Sequence, residues 1–222
     1  YLKEMNYDIN SNDLISLNSK HGIEKIMSIS RDPRYPAVEY INNNSNCFFD
    51  SIIHDVDIIC HILDEYPTKI YSNASTFYKP FKNINDYDRV YVNLKFNSGV
   101  LGLIDWCRHS GFSYDQQLKV FGFNGCLSVE NESNNNIIKQ NNNGTILPQY
   151  KDYFLDRYRN AYKNEINTFI SRILGNIHYD NSYDSVRNTQ IILEAAQESA
   201  IKDKVIDIDY KNYKTKLNIN QS

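Results

Sequence analysis

The chain has 222 residues, 24 basic against 27 acidic, and 41% of its residues are apolar. That length allows one large domain or two small ones with enough interior to fold without covalent staples. The near balance of charge, with no block of Lys and Arg, excludes a polyanion such as nucleic acid as partner, and no apolar run reaches the ~20 residues that span a bilayer.

The chain starts at Tyr1 and not at Met, as a fragment of a longer protein would. Cys47, Cys60, Cys107 and Cys126 stand in apolar sequence without CxxC pairing. They read as reduced, buried thiols of a cytoplasmic protein. Asn runs at 42–44, 134–136 and 141–143 favour turns and are expected in surface loops.

In chain order, a short helix is predicted over Ser11 to Leu17, capped by Ser11. A strand over Lys25 to Ser30 follows and closes before Pro33. Residues 34 to 46 read as a loop. From Phe49 to Leu63 apolar residues recur at three- and four-residue intervals, one stripe of a helix packed on a core. After Pro67 the period becomes alternating, predicting strands over Lys69 to Phe77, Arg89 to Phe96, Val100 to Arg108, Tyr114 to Phe121 and Cys126 to Glu130. Asn97-Ser98-Gly99 and Asn124-Gly125 are hairpin turns between antiparallel neighbours. A helix is predicted over Tyr153 to Leu174, stopped by Gly175, and another from Ser182 or Asp184 to about Lys202, with Val186 and Leu193 among its inward residues. A last strand is expected over Lys204 to Asp209, then a polar tail over 210–222. The fold class is α+β: an open, mostly antiparallel sheet covered on one face by helices.

Within the central helix, Asp50 and His54 lie four residues apart and project from the same side. A carboxylate and an imidazole so placed can share a proton or grip one hydroxyl group, and imidazole is suited to proton transfer near neutrality. The same residues also fit a purely structural role, an acidic first turn and a surface histidine. His54, Asp57 and His61 share a face, but histidines two turns apart are ~10 Å apart along the axis, too far for one zinc ion, so no metal site is expected. The chain contains no GxGxxG, no GK[ST], no GxSxG and no paired CxxC.

Several segments together resemble the C-terminal domain of the Gfo/Idh/MocA oxidoreductase family, most of all its inositol 2-dehydrogenases. Ser30-Arg31-Asp32-Pro33 is similar to the family's SRDP strand end. Asp50 through Asp57 follows D-x-x-x-H-D-x-D. Ile104-Asp105-Trp106-Cys107-Arg108 and Tyr114-Asp115-Gln116-Gln117 are similar to ID-x-S-R and YDQR. Phe154 through Ile166 is similar to F-x-x-R-[FY]-x-x-A-Y-x-x-E-I. The motifs occur in family order along nearly the whole chain.

The resemblance implies domain limits: 1–22 as a remnant of the connection from a Rossmann domain absent from this chain, 23–209 as the C-terminal α+β domain. It also implies NAD- or NADP-dependent oxidation of a secondary alcohol in a cyclic polyol or sugar, the cofactor being held mainly by the missing domain. Asp50 and His54 would be catalytic, with a family lysine that has no counterpart here; His54 could equally be the direct base. Arg31, Asp32 and Tyr114 would bind substrate. Met5-Asn6 replaces the family's two arginines, and Ser45-Asn46 replaces a Gly-Gly. The open sheet face implies a homodimer or homotetramer, with Tyr91, Leu103, Trp106 and Leu118 or their neighbours outward. A second reading is a catalytically inactive dehydrogenase-derived module for dimerisation or ligand binding. Retention of Asp50 and His54 favours the enzyme; the missing arginines and glycines favour the module.

Overall fold

The computed structural model describes residues 22–43, 46–84, 86–175 and 183–213. The helix expected over 11–17 and most of the expected tail lie outside these residues.

Among the described residues nine strands follow one another as β1 (Ile23–Arg31), β2 (Pro67–Ser75), β3 (Arg89–Phe96), β4 (Leu101–Cys107), β5 (Asp115–Gly122), β6 (Gly125–Val129), β7 (Lys139–Asn141), β8 (Gly144–Ile146) and β9 (Ile206–Asp207). Seven form one sheet in the order β6-β5-β1-β4-β3-β2-β9; β7 and β8 pair apart from it as an exposed hairpin around the third Asn run. The hairpin turns at 97–99 and 124–125 join β3 to β4 and β5 to β6, as the turn residues require. All neighbours are antiparallel except β1 and β4. β1 is inserted between β4 and β5 and runs parallel to β4, so the C-terminal ends of both lie side by side at one edge of the sheet.

The helices are α1 (Val38–Asn43), α2 (Ile53–Leu63), α3 (Phe154–Arg157), α4 (Arg159–Ile173) and α5 (Tyr183–Lys202). α1 falls in the stretch expected to be loop. α2 is preceded by a π-turn, Phe48–Ile52, and ends at Asp64 in the left-handed conformation. α2 and α5 cover one sheet face: Val56 and Ile59 with Ile191, Ile192 and Ala195 pack on Ile26, Val92, Leu94 and Ile104 in one cluster of fully buried side chains. Burial of each such aliphatic side chain stabilises by about 1.5–3 kcal/mol. Val186, expected inward, is exposed, because the buried stretch of α5 begins a turn later, at Thr189.

Three further expectations change. The helix expected over Tyr153 to Leu174 breaks at Tyr158 into α3 and α4, and α4 buries none of its residues. Trp106 and Leu118 are not outward: Trp106 pairs with core-facing Val90 and Leu118 with Ser28, and both are at most 5% exposed. Tyr91 and Leu101 do lie on the open face. Leu103 and Trp106 stand an odd number of positions apart along β4, so the two must point to opposite faces. Cys47, Cys60 and Cys107 are buried thiols, but Cys126 is exposed on strand β6 at the sheet edge. At the C-terminus Tyr210 is anchored, its hydroxyl donating to the carbonyl of Pro67 at 2.7 Å. No helix among the described residues is long and apolar enough to cross a membrane.

Candidate active site

The parallel pair explains where the cleft forms. Asp32 follows β1, Arg108 follows β4, and the two ends are tied by hydrogen bonds from Asp32 N to Cys107 O at 3.1 Å and from Ser110 N to Asp32 O at 2.7 Å. Tyr114 enters β5 at the same edge, and the π-turn brings Asp50 above it. Together with the face of α4 these elements enclose a cleft of about 1500 Å³. Asp32, Asp50, His54 and Tyr114 all line it, so four of the five residues singled out from the sequence converge.

Arg31 does not join them. Ser28 and Ser30 line the cleft, and by strand alternation Ile29 and Arg31 point to the other face. There the Arg31 guanidinium pairs with Asp105 and, at 3.0 Å, with Asp115. The expectation that it binds substrate is corrected on that ground.

Asp50 is a fixed carboxylate. Its Oδ2 accepts from Arg108 Nη1 at 2.8 Å and its Oδ1 from the Tyr40 hydroxyl at 3.1 Å. His54 is exposed to the cleft, and no hydrogen bond joins it to Asp50 among the described residues. Burial pushes the Asp32 carboxyl up to about 6, against the pull of Arg108 and with added repulsion from Asp50. The Tyr114 phenol is held above its ordinary value by burial and by the neighbouring Tyr158 hydroxyl. Their rings meet edge to face at 6.2 Å. The cleft thus offers a fixed anion, an accessible imidazole, a carboxyl that titrates near pH 6 and phenols that stay protonated. That set suits recognition of a polyhydroxylated ligand and movement of a hydroxyl proton.

Sequence reasoning missed several participants. Arg108 closes an apolar strand and ends the Ile104 to Arg108 motif run, but neither reading gave it a role in the site. Tyr40 sits in a segment without periodic pattern. Asp55, beside His54, is a buried part of the cleft lining, and burial pushes its carboxyl up to about 7 although the Ser28 hydroxyl donates to it. Tyr158 had a signal, its place in the F-x-x-R-[FY] run, and lies where α3 breaks from α4.

The described residues do not fit a dinucleotide. Gly99, Gly125 and Gly144 occupy hairpin turns, and no described glycine with positive φ joins the end of a strand to the start of a helix. A pyrophosphate cradle of backbone N–H groups is therefore lacking among them. They hold no group of three or more His, Cys, Asp or Glu side chains able to hold a metal ion.

The profile of the GFO/IDH/MocA C-terminal domain matches residues 23–128. Among curated proteins, the inositol 2-dehydrogenase of Rhizobium meliloti is 35% identical over 152 residues, covering 68% of this chain and 46% of the relative. The chain thus spans about half the length of such relatives. Among solved structures, a putative myo-inositol dehydrogenase from Sinorhizobium meliloti superposes with a TM-score of 0.82 at 30% identity, over 89% of this chain and 60% of that one. The scyllo-inositol dehydrogenase of Lactobacillus casei, solved with NAD(H) and scyllo-inositol, shares the fold at a TM-score of 0.78 and 20% identity, over 89% of this chain and 60% of that one. With its motifs, mixed sheet and matching profile, the chain belongs through residues 23–128 to the GFO/IDH/MocA C-terminal domain family.

Proposed function

We propose that this chain is the substrate-binding, proton-handling and oligomerising part of a cytoplasmic NAD- or NADP-dependent oxidoreductase that acts on a secondary CH–OH of a cyclic polyol or sugar, an inositol foremost. The observation that carries the reading is the convergence of Asp50, His54, Asp32 and Tyr114 on one cleft. A nicotinamide nucleotide, bound outside the described residues, supplies hydride acceptance. The chain's own residues handle the rest. Asp50, held by Arg108 and Tyr40, fixes the substrate by accepting a hydrogen bond from a hydroxyl beside the reacting one. His54, exposed to the cleft and without a hydrogen-bond partner among the described residues, takes the hydroxyl proton on a ring nitrogen. Asp32 and Tyr114 bind neighbouring hydroxyls and orient the ring. Domain limits of 23–209 for this unit, with 1–22 as a connection, fit the sheet beginning at Ile23 and its last strand at Ile206–Asp207.

The open sheet face presents Tyr91 and Leu101, each about half exposed, among Lys and Asn side chains. Such a face suits pairing with a second copy into a homodimer or homotetramer, which light scattering at micromolar concentration tests.

The deciding experiment is NAD(P) reduction by the natural gene product with a panel of inositols. Asp50→Asn and His54→Ala should each lower kcat by 10² to 10⁴-fold while circular dichroism is unchanged. Retained turnover in both variants would remove the assignment. Inositol binding without any reduction by the unaltered protein would establish the inactive module instead.

A further inference from the structure

We infer that Arg108 is the positioning residue of this cleft: it bridges Asp86 and Asp50, fixes the Asp50 carboxylate against the sheet edge, and sets the electrostatic field at Asp32. The catalytic part of this inference rests on the reading of Asp50 given above; the bridge itself does not.

The Arg108 side chain is only 2% exposed. A guanidinium so buried must be matched by anions, and two are present. Nη1 meets Asp50 Oδ2 at 2.8 Å and Nη2 meets Asp86 Oδ2 at 3.2 Å. Asp86 lies outside the cleft and is itself immobile, its Oδ1 accepting from the backbone N–H groups of Cys47 and Tyr87 at 2.9 Å each. The Arg108 backbone is tied as well, its N–H donating to the Asp88 carbonyl at 3.1 Å. The guanidinium carbon lies 5.2 Å from the Trp106 ring centroid, and the Trp106 indole donates to Ser51, the residue after Asp50. Two side chains of one strand end therefore hold the π-turn that carries Asp50.

A buried ion pair contributes little net stability over an apolar replacement, so stability does not account for this bridge. What a planar fork with two anchored arms supplies is position. A lysine keeps the charge but cannot span both carboxylates.

The field at Asp32 provides a readout independent of turnover. Asp32 is faced by Arg108 from the end of β4, Asp50 from the π-turn, Tyr40 from α1, Tyr114 from the approach to β5 and Asp55 from α2. Arg108 lowers its titration and Asp50 raises it.

The test has two arms. In this 222-residue chain, carboxyl ¹³C NMR follows Asp32, whose midpoint near 6 should rise by roughly one unit in Arg108→Gln and fall in Asp50→Asn. Should Arg108→Gln fail to fold, Asp86→Asn releases the anchored arm from outside the cleft and should displace the Asp50 resonance. An Asp32 midpoint unmoved in Arg108→Gln and Asp50→Asn, or an Asp50 resonance unmoved in Asp86→Asn, overturns the inference. In the natural gene product, Arg108→Lys should lower kcat roughly 10²-fold while KM for inositol stays within about threefold. Unchanged kcat in a folded Arg108→Lys overturns the positioning role. A moved Asp32 in a gene product that oxidises no polyol leaves the bridge standing and removes only the dehydrogenase reading.

Discussion

The Ser28 hydroxyl and the Asp55 carboxyl meet at 2.5 Å in a buried seam between β1 and α2. Only Oδ1 is served; Oδ2 has no hydrogen-bond partner among the described residues. A charge on Asp55 is thus poorly matched, which is why burial pushes its carboxyl up to about 7. The folded state then binds a proton that the unfolded chain has released above about pH 4. Stability from this group is complete below pH 4 and declines as the pH rises through 7. Asp32, at about 6, acts in the same direction. Urea unfolding should show a loss of several kcal/mol between pH 4 and pH 8, and Asp55→Asn should remove somewhat more than half of it, the rest staying with Asp32.

Gly102 lies in β4 between core strands, and a Cβ there would sit 3.0 Å from Leu94 Cβ and 3.3 Å from Phe96 Cε2. Leu94 Cβ is fixed to the backbone and cannot swing aside. Gly102→Ala should therefore cost about 1–3 kcal/mol by overpacking, seen as a lower denaturant midpoint at unchanged slope.

Arg31 separates binding from folding. Asp115 is fully buried, and Arg31 is its cationic partner, beside Asn131 and Gln117. Arg31→Met should cost roughly 2 kcal/mol of stability, since it strands a buried carboxylate that retains two amide donors. Turnover and KM in the natural gene product should stay within about threefold, because the side chain lies across the sheet from the cleft.

Trp106 is the chain's single tryptophan and its indole N–H donates to Ser51 Oγ at 2.8 Å. Ser51→Ala leaves that donor buried and unmet, at a cost of about 1–3 kcal/mol. Intrinsic fluorescence, coming from this one site, should change in the folded variant and match the unaltered protein once both are unfolded.

The strands and hairpins were legible because alternation and turn chemistry are local. β3, β4 and their turn at Gly99 could be read from adjacent residues alone. The position of β1 could not, since its partners are distant and nothing near Ile26 names Gly102 or Val120. The π-turn at Asp50 was hidden for a different reason: its apolar spacing is also that of an ordinary helix. At Tyr158 a periodic helix breaks because Arg157 turns inward and donates to the carbonyls of Gln116 and Glu130, a use of a charged residue that composition does not announce. In the site, spacing alone paired Asp50 with His54, and family motifs pointed to Asp32 and Tyr114. Arg31 failed by parity: adjacent strand residues cannot share a face, and the cleft already had Ser30.

The insertion of β1 between β4 and β5 also governs how the chain reaches its fold. Ile26 waits for partners roughly 75 and 95 residues further along, so the middle of the sheet closes only after loops of that length have been ordered. The local β3–β4 and β5–β6 hairpins can form early, but each then presents an open edge to whatever strand arrives first. Until β1 seats, the edge that it will occupy on β4 is a competent template for another molecule's strand. Refolding yield should therefore fall steeply with protein concentration.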